Sequence, residues 1–213
     1  MKLLIVRPEP GAGESAARAR TLGLEPLVAP LFETRPLAWT PPDPAAFDAL
    51  LLTSANAVRL GGEGLRTLLG LPCYAVGERT AEAARRAGFA DVRVGPSDGA
   101  ALAAMAAQGG ARASLHLGGR DHAALGAAAF IPIYVSEPTG ALPADLSEAV
   151  VLLHSARAAA RFAALAPARG GFAIAALSAP VAAAAGEGWK RVAVASAPRE
   201  EALLELAAKL CQT

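Results

Sequence analysis

The chain predicts an α/β protein made of two similar parallel-sheet halves with a cleft between them, and three features of its 213 residues carry that expectation. The first is a repeat. FDALLLTSANAVRL followed by CYAVGERTAEAARRAGF recurs as EAVVLLHSARAAARF followed by FAIAALSAPVAAAAGEGW, in the same order of apolar run, polar turn and Ala-rich helix. Ser54 pairs with Ser155, Ala57 with Ala158, Gly88 with Gly188 and Leu102 with Leu203, at offsets of 100 or 101 residues. A constant offset points to duplicated structure rather than one continuous sheet. The second feature is alternation, since most of the short apolar runs are followed by a helix, the pattern of parallel sheets with right-handed crossovers. The third is a pair of extended segments, LFETRPL from Leu31 and IPIYVSEP from Ile131, which read as crossings between the halves.

Lys2 to Val6, bounded by Pro8 and Pro10, reads as a buried strand. A helix follows from Glu14 to Leu22, closed by Gly23 where a left-handed cap is usual. Between them GAGESA matches the G-x-G-x-x-A dinucleotide pattern at Gly11, Gly13 and Ala16, with Glu33 about twenty residues on. That pattern needs its first Gly at the strand end, beneath the pyrophosphate. Here Arg7, Pro8, Glu9 and Pro10 intervene, which favours a plain strand-to-helix loop.

Leu24 to Pro30 is a second strand, and the crossing after it runs into TPPDP. Ala49 to Leu52 opens the first repeat, with Thr53 or Ser54 capping the next helix. The strand Cys73 to Val76 ends in Gly77-Glu78-Arg79-Thr80, where Thr80 is the expected N-cap and Glu82 sits in the first turn; Gly88 stops that helix. Val92 to Val94 is a strand, Ser97-Asp98 a cap, and Gly99 to Ala107 a helix ending at Gly109-Gly110. Leu115 to Leu117 precedes a glycine turn, Gly118 to Asp121. The second repeat starts at Glu148, and the chain closes on an amphipathic helix through Leu203, Leu206, Ala207 and Leu210, with Pro198 in its first turn.

Composition narrows the function. Apolar residues make up 54% of the chain, enough for a sizeable core, but so many are Ala that thin helix-on-sheet layers are expected. A net charge of +1, with no block of basic residues, excludes a broad patch for nucleic acid or an anionic membrane. All but three of the 20 basic residues are Arg, which suits an acidic ligand or reflects compositional bias. Cys73 and Cys211 form no disulfide or metal framework, and MKLLIVRPEP is too short for a signal-peptide core. No 18-residue apolar window exists, so the expectation is a soluble, cytoplasmic protein.

In parallel sheets, ligands bind beyond the carboxyl ends of the strands, which is where Thr53-Ser54, Gly77 to Thr80, Gly118 to Asp121, His154-Ser155 and Leu177 to Pro180 fall. All but the third open a helix, and helix N-termini hold carboxylates through unpaired N–H groups. Ser54, Thr80 and Ser155 either cap their helices only or cap and also touch ligand. His154-Ser155 lacks the G-x-S-x-G elbow, and His116, His122 and His154 have no metal-ligand spacing.

Arg7-Pro8, LLLTSANAV, YAVGERTAEAARRAGF, HLGGRD, PIYV, VLLHSARAA and APREEALLEL, in that order and spacing, resemble the uroporphyrinogen-III synthase family over nearly the whole chain. The resemblance implies two parallel-sheet α/β domains joined by a two-stranded extended connection, with substrate in the cleft. Residues 1–33 plus 138–213 would form one domain, 37–131 the other, and 33–37 and 131–137 the crossings. It implies a cofactor-independent lyase that closes hydroxymethylbilane with inversion of ring D and loss of water. Its implied partners are that substrate and, transiently, the enzyme that makes it; the protein is expected to be a monomer that binds no metal. Tyr134 takes the place of the family's crossover tyrosine and is the implied catalytic acid. Arg7, Ser54, Ala55, Gly77, Thr80, Gly118, Ser155, Ala156 and Ser178 are the implied substrate-binding positions. Two departures stand out: Leu177-Ser178-Ala179-Pro180 replaces the usual GPTT turn, and the segment between Arg120 and Ile131 is short. The alternatives are a non-catalytic two-domain tetrapyrrole or small-anion binding protein and a nucleotide-dependent enzyme using GAGESA.

Overall fold

Apolar runs too short for helices become strands, and alternate side chains on each strand feed two cores. The computed structural model describes residues 1–96, 98–122, 125–126, 128–139, 142–144, 146–166 and 168–212. It divides into one unit of Met1–Glu33 with Glu137–Thr213 and a second of Thr34–Ser136.

The first unit holds β1 (Leu3–Ile5), β2 (Pro26–Val28), β9 (Ala149–Leu153), β10 (Phe172–Ala176) and β11 (Arg191–Val194), in the order β11-β10-β9-β1-β2 and all parallel. The strands β1, β9 and β10 are buried along their whole length because helices cover both faces. Leu4, Val151 and Ile174 point to one face, where α5 (Ala156–Leu165) and α6 (Ala179–Ala185) pack through Phe162 and Val181. There Phe162 stacks on Trp189 with centroids 5.3 Å apart and meets Phe172 edge-on at 5.4 Å. Leu3, Ile5, Val150 and Leu152 point to the other face, against α1 (Gly11–Thr21) and α7 (Glu200–Cys211), which contribute Ala12, Ala16, Leu203 and Ala207.

The second sheet runs β3-β8-β7-β4-β5-β6. Its strands are β3 (Phe32–Pro36), β4 (Ala49–Leu52), β5 (Cys73–Val76), β6 (Val92–Gly95), β7 (Ser114–Gly119) and β8 (Ala129–Pro138), and those from β8 to β6 are parallel. Leu50, Leu52, Leu115 and Leu117 face α2 (Ala55–Leu60), a 3-10 segment (Glu63–Leu68) and α3 (Gly77–Ala87); Ala49 and Leu51 face α4 (Gly99–Gln108). Among the described residues no helix lies between β7 and β8. A recess of about 400 Å³ lies beside α4, lined by Leu51, Ala100, Ala103, Ala107, Leu125 and Ala128. Both crossings are strands: Thr139 N–H donates to Leu31 O and Leu37 N–H to Ile133 O, pairings whose numbers run in opposite directions, so β3 and β8 are antiparallel.

The mixed α/β class with parallel sheets is as the sequence predicts. The repeat appears as β4, β5, β6 and α4 against β9, β10, β11 and α7, while β7 and β8 take in the second sheet the places that β1 and β2 hold in the first. Among the described residues no helix is long and apolar enough to cross a membrane, and no three His, Cys, Asp or Glu gather as metal ligands.

Several local expectations are corrected. Thr80 is not an N-cap: Gly77, at φ +68, turns the chain directly out of β5 so that α3 begins there, leaving Thr80 buried in the helix. Glu78, not Glu82, is the first-turn acid, and it pairs with Arg85 at 2.6 Å. Gly118 and Gly119 belong to β7 and flank a register shift; they replace a turn because side chains from neighbouring positions lie over them. α1 starts at Gly11, three residues early, and α7 at Glu200, so Pro198 precedes the helix. Asp98 caps α4 by accepting from Ala100 N at 3.0 Å; Ser97 lies outside the described residues.

Candidate functional site at the strand ends

In each sheet the strand order reverses at one place, between β1 and β9 in the first and between β7 and β4 in the second. Such switch points leave a crevice at the carboxyl ends of the two strands, where ligands of open parallel sheets bind. Each unit has a polar cluster there.

In the first unit, Ile5 is in register with Leu152, so two residues further on Arg7 and His154 emerge side by side. Packing of α1 and α7 on the same sheet face brings Ser15 and Glu200 above them. Arg7 Nη1 donates to Glu200 Oε2 at 3.0 Å and to Ser15 Oγ at 3.3 Å; Ser15 Oγ donates to Glu200 Oε1, and His154 Nε2 lies 2.9 Å from Glu200 Oε2. Burial pushes the Glu200 carboxyl up. The hydrogen bonds from His154 and Ser15 and the charges of His154 and Arg7 outweigh it, bringing the carboxyl down to about 2. An ionised carboxylate only accepts, so His154 Nε2 carries the hydrogen it shares. His154 Nδ1 is buried without a partner among the described residues.

In the second unit, Leu52 pairs with Leu117, and Thr53 emerges beside Gly118. Thr53 Oγ1 sits 3.1 Å from His116 Nε2 and 3.0 Å from His122 Nε2. Thr has one hydroxyl hydrogen, so at least one imidazole must donate to it. Burial, then the neighbouring His122, push His116 down to about 4, which leaves it neutral at pH 7. Gly118 leaves room for this ring, since a β-carbon there would stand 2.9 Å from His116 Nε2.

Most positions expected from the sequence lie where a helix starts after a strand. Ser54 caps α2, accepting from Asn56 N at 3.1 Å, and Ser155 caps α5, accepting from Ala158 N at 3.2 Å; Ala55 and Ala156 are the first residues of those helices. Gly77 opens α3 with nothing within 4 Å of where a β-carbon would be. Ser178 holds the N-cap position of α6 but makes no side-chain cap bond. Tyr134, on β8, is 8% exposed and packs with Ile133 and Leu117. Glu200, Ser15, His116 and His122 are not among the site residues expected from sequence, and His154 enters only through the strand-end pair His154-Ser155, 101 residues after Thr53 in the repeat.

GAGESA does not form a nucleotide loop. The Gly13 N–H at the start of α1 donates to the Glu9 carboxylate at 2.9 Å, placing a negative charge where a pyrophosphate would sit, and the Arg7 guanidinium lies over Gly11.

Fold and strand-end clusters together define a two-unit parallel α/β protein with polar switch points. Comparison with known proteins narrows that class. The family model of uroporphyrinogen-III synthase HemD matches residues 13–205. The chain belongs to the uroporphyrinogen-III synthase family. Among solved structures it is similar to the uroporphyrinogen-III synthetase of Helicobacter pylori, with 19% identity over 98% of this chain and 99% of that one and a TM-score of 0.71. It is also similar to a mutant uroporphyrinogen III synthase of Thermus thermophilus, with 16% identity over 100% and 99% of the two chains and a TM-score of 0.59. No curated protein matches the chain by sequence.

Proposed function

We propose that this chain closes hydroxymethylbilane to uroporphyrinogen III, inverting ring D and losing water, as a cofactor-independent lyase acting as a monomer in the cytoplasm. The observation that carries the reading is the family match across residues 13–205. The free thiols of Cys73 and Cys211 suit a reducing compartment.

The reaction asks two things of the protein. It must hold a flexible tetrapyrrole so that the inverting ring closure outruns the simple one, a positioning effect that can supply several kcal/mol. It must also assist departure of the terminal hydroxyl, a general-acid effect of about 10²- to 10⁴-fold. For positioning we assign Arg7 and the helix starts at Ser54-Ala55, Gly77 and Ser155-Ala156, where backbone N–H groups and the helix dipole favour the substrate's carboxylates. Gly118 and Ser178 border the same strand ends, and Thr80 acts from inside α3. Tyr134 is assigned as donor to the departing hydroxyl, because a phenol is both donor and acceptor. Transient contact with the enzyme that makes the unstable bilane would limit its spontaneous closure.

The test is to supply enzymatically generated hydroxymethylbilane, oxidise the products and separate the isomers. Type III product supports the reading; type I alone, the uncatalysed outcome, removes it.

A further inference from the structure

Three side chains from three elements meet on the carboxylate of a fourth in the first unit. Arg7 follows β1, Ser15 lies on α1, His154 follows β9, and Glu200 begins α7. We propose that Glu200 and Gly11 are positioning residues that fix Arg7 as a seat for one carboxylate of the substrate, with His154 beside it as the acceptor for a substrate N–H. This rests on the synthase reading given above.

Three observations carry the proposal. Glu200 accepts from Arg7, Ser15 and His154 and is largely buried, its side chain 15% exposed, so it sets the orientation of Arg7 and His154 instead of meeting solvent. Second, the guanidinium lies in a slot made by a missing side chain. A β-carbon on Gly11 would stand 2.6 Å from Arg7 Nε and 2.8 Å from Nη2. Gly11 has no left-handed φ, so its lack of a side chain serves that close approach and not the backbone. Third, the His154 side chain is nine-tenths buried, and its Nδ1 has no hydrogen-bond partner among the described residues. A buried polar atom left unsatisfied at a strand end is one that a ligand can complete.

Guanidinium forks recognise carboxylates with fixed geometry. With its Nε2 hydrogen given to Glu200, the His154 ring offers Nδ1 as an acceptor, which suits a pyrrole N–H of the same substrate. The arrangement is confined to one unit. At the repeat offset of 101 residues, Gly99 stands for Glu200 and Thr53 for His154, so the second unit carries neither the anchoring carboxylate nor the imidazole at those positions.

A network that merely fastened α1 and α7 to the sheet would affect folding but not substrate affinity, which separates the two roles. We expect Glu200→Gln and Gly11→Ala each to raise KM for hydroxymethylbilane about tenfold while kcat changes less than about twofold, the signature of lost uniform binding. Gly13→Ala, the same change two residues on in the same helix, leaves KM unaltered. Adding Glu200→Gln to Arg7→Ala costs less than Glu200→Gln does alone, since part of the carboxylate's effect runs through the guanidinium. Should Glu200→Gln fail to fold, the KM of Gly11→Ala decides alone. Unchanged KM in the folded variants, with wild-type protein still making type III product, overturns the seat and leaves the function standing. Wild-type protein making only type I overturns both.

Discussion

Tyr134 rests its ring on the α-carbon of Gly119: a methyl group there would lie 2.8 Å from Cε2 and 3.2 Å from the hydroxyl oxygen. The two residues are register partners across β7 and β8, at the point where the ladder shifts. A side chain on Gly119 would push the ring out of a core in which Tyr134 is 8% exposed.

Gly119→Ala therefore destabilises the protein by about 1–3 kcal/mol, the usual cost of overpacking. Urea titration of the variant measures it, and an unchanged midpoint would show that the ring yields freely. Tyr134→Phe keeps the ring and folds normally. Its turnover falls roughly 10- to 100-fold, at or below the low end of general-acid effects, with type III product retained. Unchanged turnover would make Tyr134 a packing residue, and a switch to type I would make it a positioning one.

The buried His116 ties stability to pH. Its folded pKa is about 4 against an ordinary value of 6.5. Between those values the unfolded chain binds a proton that the folded one refuses. Stability is thus fully present above pH 6.5 and falls toward pH 4, by about 2–3 kcal/mol in all. Thermal melts between pH 7 and 4.5 should show this slope, and His116→Gln should flatten it. A slope that survives the substitution must come from other groups.

Glu200 acts in a lower window. Its folded pKa of about 2 lies below the ordinary 4.5, so its contribution is present above pH 4.5 and lost as pH falls toward 2. Glu200→Gln should then reduce acid sensitivity below pH 4.5 and leave the His116 slope between pH 6.5 and 4.5 in place. Loss of both slopes would mean that the two groups are coupled through folding.

Ser155→Ala and Ser54→Ala should each cost about 1 kcal/mol, because each hydroxyl accepts a helix N–H. Ser178→Ala should cost next to nothing, since its side chain makes no cap bond. Denaturant midpoints of the three variants check the ranking; an equal loss at Ser178 would mean that the hydroxyl caps α6 in solution.

The architecture was legible because it depends on local patterns. Leu50 to Leu52 and Val150 to Leu152 are apolar runs that read as strands without reference to anything distant, and the shared offset ties them together. Ser54 and Ser155 could be assigned as caps because a cap is a contact across two or three residues. Glycine was harder to read. Gly118 and Gly119 signal a turn, but they sit in a strand where His116 and Tyr134 need room above the backbone, a demand set by the neighbouring strand and ring. Likewise Gly77 starts α3 through a left-handed φ that moves Thr80 from the expected cap into the helix. The Glu200 cluster lay beyond local reading altogether: Glu200 and Arg7 are 193 residues apart and meet only when β1 inserts beside β9.

Everything proposed for the strand-end residues depends on this chain directing the ring closure of hydroxymethylbilane. The decisive experiment is to generate that substrate in the presence of the protein, oxidise the mixture and separate the uroporphyrin isomers. Type III should be the main product, formed in proportion to protein concentration; type I alone, at the rate seen without protein, would refute the proposed function.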